Sequence, residues 1–237
     1  MRRAIGVFLV WTVSMGLVAA LFVAAALAYH YWQMPLVDEA TTVKVEAGES
    51  MRDVAATLHA TRPALPARVI YWTARFRGQA RQIQAGEYEI RAGEYLPALL
   101  DRMVAGDVIE YRFTVPEGVT ASEFLAQVVE APKVRRTLET LTPEAVIEAL
   151  DLPIEHLEGW LFPTTYHYPA GTTDRALLMR AYRLMREELD AAWADRADDL
   201  PVESPYEVLI LASLIEKETA VPDERGRIAG VFVNRLD

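Results

Sequence analysis

A chain of 237 residues that is 52% hydrophobic and 24% charged and has no cysteine can build one large or two small domains. It is neither a disulfide scaffold nor a lipoprotein tethered through cysteine. The formal net charge of −10 argues against nucleic acid or anionic lipid as the main partner, and the four histidines are too scattered to ligate a metal, so neither metal nor other cofactor is expected.

The first element is a membrane segment. Ala4 to Tyr29 contains no charged residue, and its 26 residues at 1.5 Å rise suffice to cross a hydrocarbon core of roughly 30 Å with some tilt. Arg2 and Arg3 precede it, and Asp38 and Glu39 follow. The positive-inside tendency therefore keeps the N-terminus in the cytoplasm and places everything after Trp32 outside. Ala26-Leu27-Ala28 has the small-x-small form of a signal cleavage site, but a cleavable signal has an apolar core of only about 7–15 residues. Residues 1–32 thus read as a cytoplasmic tip and an uncleaved single-pass anchor in the cytoplasmic membrane, with the bulk of the chain on the periplasmic or extracytoplasmic side.

Beyond the anchor, one local pattern recurs: a short apolar strand, a turn glycine, a polar capping residue, then an amphipathic helix. The copies start at Val43, Tyr88, Phe113 and Tyr166; Gly48, Gly93, Gly118 and Gly171 supply the turns, and Ser50, Thr120 and Thr173 are candidate N-caps. Their irregular spacing excludes a solenoid. The first copy, with the helix-like stretch Pro63 to Arg77, resembles a LysM-type module, a β-α-α-β unit that binds N-acetylated glycans. This LysM-like unit is assigned to 41–107, closed by Ala105-Gly106-Asp107. A second domain, 108–237, is expected to carry helices at Ala121–Glu130, Pro143–Leu150, Asp174–Trp193, Pro205–Ala220 and Asp223–Leu236. The fold class is α+β: a transmembrane helix, a small LysM-like β-α unit, and a mixed α/β catalytic domain.

Between two of those helices lies E-G-W-L-F-P-T-T-Y-H-Y-P, Glu158 to Pro169, with one Trp, one Phe and two Tyr in twelve residues. Aromatic faces suit the C–H faces of sugar rings, and strand alternation would put Trp160, Phe162, Thr164, Tyr166 and Tyr168 on one side. A core strand is the competing reading, stronger for Phe162 than for Trp160 and Tyr166.

Ser204-Pro205-Tyr206-Glu207 opens the next helix as a capping box with proline at its first position. At about 100° per residue, Val208, Ile210, Leu211, Leu214 and Ile215 form one arc, and Glu218 falls inside it while Glu216 points away. A carboxylate among aliphatic side chains is desolvated and held protonated, as a general acid requires. The alternative is that Glu218 swings out to water or pairs with Arg225 or Arg227. Ser213 and Lys217, one turn apart, suggest a serine hydrolase, but no S-x-x-K spacing or nucleophile elbow surrounds the serine.

Together E-G-W-L-F-P-T-T-Y (Glu158 to Tyr166), A-S-L-I-E-K-E-T-A (Ala212 to Ala220) and V-F-V-N-R-L (Val231 to Leu236) resemble the endolytic murein transglycosylase family, also called the YceG-like family, over essentially the whole chain. The resemblance implies cleavage of the β-1,4 bond between N-acetylmuramic acid and N-acetylglucosamine in nascent peptidoglycan strands, leaving 1,6-anhydro ends. It implies Glu218 as the catalytic residue, Glu158, Trp160, Tyr166 and Asn234 as candidates to meet substrate, and membrane-embedded peptidoglycan synthases as partners. For Glu158 the favoured role is to bond a backbone N–H near Gly159, and Asn234 could simply cap local backbone. The family pattern continues past N-R-L, so the chain reads as truncated at its C-terminus, and the activity is inferred for the full-length type. A non-catalytic, membrane-anchored peptidoglycan-binding or division-scaffold protein is the alternative.

Overall fold

The structure is a computed structural model that describes residues 2–197, 200–219 and 221–236. The chain divides into two compact units, Met1–Ile109 and Glu110–Asp237, and is a mixed α/β protein throughout.

The first unit contains α1 (Arg2–Trp32), β1 (Thr41–Val45), α2 (Met51–Thr61), α3 (Ala67–Phe76), β2 (Gly86–Ile90) and α4 (Leu96–Ala105). Among the described residues one stretch, Ser14–Trp32 of α1, is long and apolar enough to cross a membrane. β1 and β2 pair antiparallel, Val43 opposite Tyr88, so β1, α2, α3 and β2 form a β-α-α-β unit. Period-2 alternation turns Val43 and Val45 inward while Thr42 and Lys44 face out. Leu58, Ile70, Tyr88, Leu99, Leu100 and Met103 fill the core between the sheet and the helices. The expected helix from Pro63 begins only at Ala67, because Leu65 precedes Pro66 and a residue before proline is driven out of the helical region.

The second unit contains β3 (Glu110–Thr114), α5 (Ala121–Glu130), α6 (Pro143–Leu150), β4 (Thr165–Pro169), α7 (Asp174–Ala194), α8 (Pro205–Glu218) and α9 (Pro222–Leu236). β3 pairs antiparallel with β4, Phe113 opposite Tyr166. The two rings stack at 5.1 Å, and Phe124, Leu125, Val128, Leu178 and Ala181 complete the core around them. Thr120 caps α5 with a full capping box, its hydroxyl accepting the Glu123 N–H while the Glu123 carboxylate accepts the Thr120 N–H. Thr173 caps α7 through the Ala176 N–H. All four expected turn glycines have φ between 74° and 88°, a region that costs other residues strain.

Asp174 opens α7 with no exposed surface. Its carboxylate accepts the N–H groups of Thr137, Leu138 and Arg175 and the Thr137 hydroxyl. Burial pushes its pKa up, but these hydrogen bonds outweigh burial and hold it below the usual carboxylate range. The aspartate thereby pins the irregular segment after α5 to the start of α7.

Candidate active site

Two segments more than forty residues apart in sequence meet in the second unit. The first is the turn before β4. Gly159 has φ +80°, and a Cβ there would lie 3.1 Å from the Leu209 side chain, so any larger residue would press this turn against α8. Leu209 is the buried residue of α8. Seven residues later, nearly in phase with it, comes Glu216, and the small side chains Ala212 and Ser213 share that face.

The resulting cleft, about 360 Å³, is walled by Glu117 and Gly118 of the turn before α5, by Gly159, Phe162 and Pro163, and by Ser213, Glu216 and Lys217 of α8. Arg225 of α9 crosses it: its Nη2 donates to Glu216 Oε2 at 2.7 Å and to Glu117 Oε2 at 3.1 Å. Ser213 donates its hydroxyl to the Leu209 carbonyl at 2.8 Å, which occupies the proton that a serine nucleophile would lose and disfavours the serine hydrolase reading.

Glu218 is the last residue of α8 and is exposed. The α8 arc is real, but it does not face the core: Ile210 and Leu214 are 45% and 46% exposed. With Leu211 they line an open apolar surface shared with Phe232 and Leu236 of α9. The expected desolvation of Glu218 is therefore corrected. The helix packs through the opposite face, and Arg225 pairs with Glu216, not Glu218. The helix stops at Glu218 because Thr219 is extended, φ −147° and ψ 135°. The buried Thr219 donates its hydroxyl to Glu224 Oε2 at 3.0 Å and accepts the Val221 N–H at 3.0 Å. This turn fixes where Glu218 stands. Ala220 lies outside the described residues.

The remaining candidates separate. Glu158 lines the cleft and accepts the N–H of Ala121 at 3.0 Å. The carboxylate sits at the positive N-terminal end of α5; its backbone partner is on that helix and not near Gly159. Trp160 is half-buried, its indole stacked on Tyr206 at 5.7 Å and 4° and tilted against Tyr182 at 5.8 Å. Tyr166 is fully buried, and its hydroxyl donates to the Phe162 carbonyl. A sugar has no access to its face, which Phe113 covers, so the expectation that Tyr166 stacks on substrate is corrected. The expected alternation fails because the strand begins only at Thr165 and its inward side belongs to the core. Asn234 is exposed on α9 and does not line the cleft. The Glu117–Arg225–Glu216 cluster escaped the sequence reading; its one signal was the seven-residue step from Leu209 to Glu216.

A model of the YceG-like family matches residues 43–237. The chain is 27% identical over 218 residues to a protein of Bacillus subtilis (strain 168) named endolytic murein transglycosylase, covering 84% of this chain and 60% of that one. It is 27% identical over 226 residues to the protein of the same name from Streptococcus pneumoniae serotype 2 (strain D39 / NCTC 7466), covering 83% and 40%. The chain thus spans about half the length of these relatives. A crystal structure of a YceG-like protein from Listeria monocytogenes aligns with TM-score 0.40 and 22% identity over 84% of this chain and 70% of that one.

Proposed function

The chain belongs to the YceG-like family, and from that premise we propose that it is an endolytic lytic transglycosylase of peptidoglycan. It cuts the β-1,4 bond between N-acetylmuramic acid and N-acetylglucosamine and leaves 1,6-anhydro ends. The observation that carries this reading is the meeting of the E-G-W-L-F-P segment with Glu216 and Lys217 of the E-K-E motif at one cleft, Glu218 following at the end of α8 outside its lining, within residues 43–237 that match the family. Glu218 is the assigned acid. Protonated, it gives its proton to the departing glycosidic oxygen; as carboxylate it then takes a proton from the C6 hydroxyl of muramic acid, which closes on C1, so no water is consumed. One side chain acting twice replaces the two carboxylates of ordinary glycosidases. The ion pair with Arg225 engages Glu216 and gives that residue a structural part, leaving the exposed Glu218 for substrate. Glu158, Trp160 and Asn234 remain candidates to position the glycan.

In this reading the β-α-α-β unit of 41–107 is LysM-like and holds the strand. α1 is a single-pass anchor whose N-terminus stays in the cytoplasm, which leaves the β-α-α-β unit and the second unit outside, near the membrane-embedded synthases that extrude new strands. Product analysis on purified glycan strands tests the reaction: anhydro ends support it, new reducing ends mean hydrolysis, and binding without products means a scaffold. A reporter fused after Trp32 that is active only in the cytoplasm would overturn the topology.

A further inference from the structure

The exposed face of α3 carries two large aromatic side chains. α3 buries Ile70, Thr73 and Ala74. On its outward side Trp72 is 48% exposed and Phe76 82% exposed, one turn apart and stacked on each other at 5.4 Å. These two rings continue into the apolar surface of α1: Trp72 and Phe76 line one groove of about 600 Å³ with Leu27 and Trp32, and the Trp32 indole N–H donates to Thr73 Oγ1 at 3.3 Å. The last turns of α1 are themselves aromatic, with Tyr29, Tyr31 and Trp32, the composition of a membrane–water interface.

Charge separates this face from the rest of the protein. The chain carries a net −10, yet from Val54 to Gly86 there is no aspartate or glutamate, while Arg62, Arg68, Arg75, Arg77 and Arg81 all fall in that stretch. Arg62 and Arg77 are engaged with Asp38 and Asp101. Arg68 and Arg75 are exposed and flank the aromatic pair on the helix surface. Exposed aromatics between exposed arginines on a helix define an element that lies in the headgroup layer of an anionic bilayer.

We infer that α3 is an interfacial helix: Trp72 and Phe76 enter the boundary between headgroups and acyl chains of the bilayer that α1 spans, and Arg68 and Arg75 bind lipid phosphates. The inference rests on the reading of α1 as a membrane anchor. It makes the first unit a body seated on the membrane surface rather than one swinging on a tether.

The absence of cysteine allows a single nitroxide label at Phe76→Cys, at Val18→Cys in α1, or at Glu89→Cys on β2. The full chain is reconstituted in vesicles of phosphatidylethanolamine and phosphatidylglycerol. Collision with oxygen, which concentrates in hydrocarbon, is compared with collision with a water-soluble nickel chelate. The expected result is oxygen-dominated collision at Val18 and Phe76 and nickel-dominated collision at Glu89, with Arg68→Glu plus Arg75→Glu restoring nickel access at Phe76. If Val18 is in hydrocarbon and Phe76 is as open to nickel as Glu89, the anchor stands and the interfacial helix is wrong. If Val18 is itself open to nickel, the anchor reading falls and the interfacial helix with it.

Discussion

Arg225 Nη2 lies 2.7 Å from Glu216 Oε2, and this ion pair is what α8 turns toward the turns of its own unit. Through the same nitrogen Arg225 also reaches Glu117, so one guanidinium joins α9, α8 and the turn before α5.

Two neighbouring glutamates should therefore fail in different ways. Glu218→Gln keeps shape but cannot give and recover a proton, and it should lower formation of anhydro ends by about 10²–10⁴-fold or more with the fold intact. Glu216→Gln should retain most activity and lose about 0.5–1 kcal/mol, the scale of a partly exposed ion pair. Turnover of glycan strands by the intact protein and urea unfolding read the two effects. A dead Glu216→Gln beside an active Glu218→Gln would reverse the assignment.

Gly159 and Gly171 share a left-handed backbone, φ +80° and +81°, but differ in surroundings. A Cβ at Gly171 meets open space, whereas one at Gly159 meets Leu209 at 3.1 Å. Gly171→Ala should cost about 1 kcal/mol of backbone strain. Gly159→Ala should cost more and displace α8 as well. Equal losses in chemical denaturation would mean that Leu209 yields freely and the contact does not position the helix.

Tyr166→Phe removes the hydroxyl that satisfies the Phe162 carbonyl, and the expected loss is about 1 kcal/mol. Glycan affinity of the folded variant should not change, because the ring has no exposed surface. Calorimetric titration with a purified glycan fragment decides this, and a lost affinity without lost stability would restore Tyr166 to the binding surface.

Asp174 gives the second unit an acid-sensitive joint. Its folded pKa is depressed, so its contribution to stability is fully present above the unfolded value of about 3.9 and disappears as pH falls through the lower folded value. Asp174→Ala leaves the N–H groups of Thr137 and Leu138 without their acceptor and should cost about 2–4 kcal/mol at neutral pH. The variant's deficit relative to the parent should shrink below about pH 4. Thermal unfolding across pH 3–7 would show it, and a deficit that holds constant to the acid end would rule the carboxylate out as the cause.

The local rules acted where neighbours in sequence settle the outcome. Thr120 and Thr173 cap α5 and α7, the turn glycines take positive φ, and α5 and α6 run over the residues their periodicity marks, because a cap, a turn and a helical phase depend on side chains within a few positions. The same phase placed Glu218 on an arc with Leu211, Leu214 and Ile215. What it could not contain was which face of α8 would meet the unit. That depends on Gly159 admitting Leu209, and on Arg225 reaching Glu216, contacts made across fifty residues and between two separate helices. Burial is a property of what lies opposite a side chain. For Glu218, exposed where an apolar arc suggested burial, and for Tyr166, covered by Phe113 where an aromatic strand suggested an open face, the partner on the other side was decided only when the chain folded.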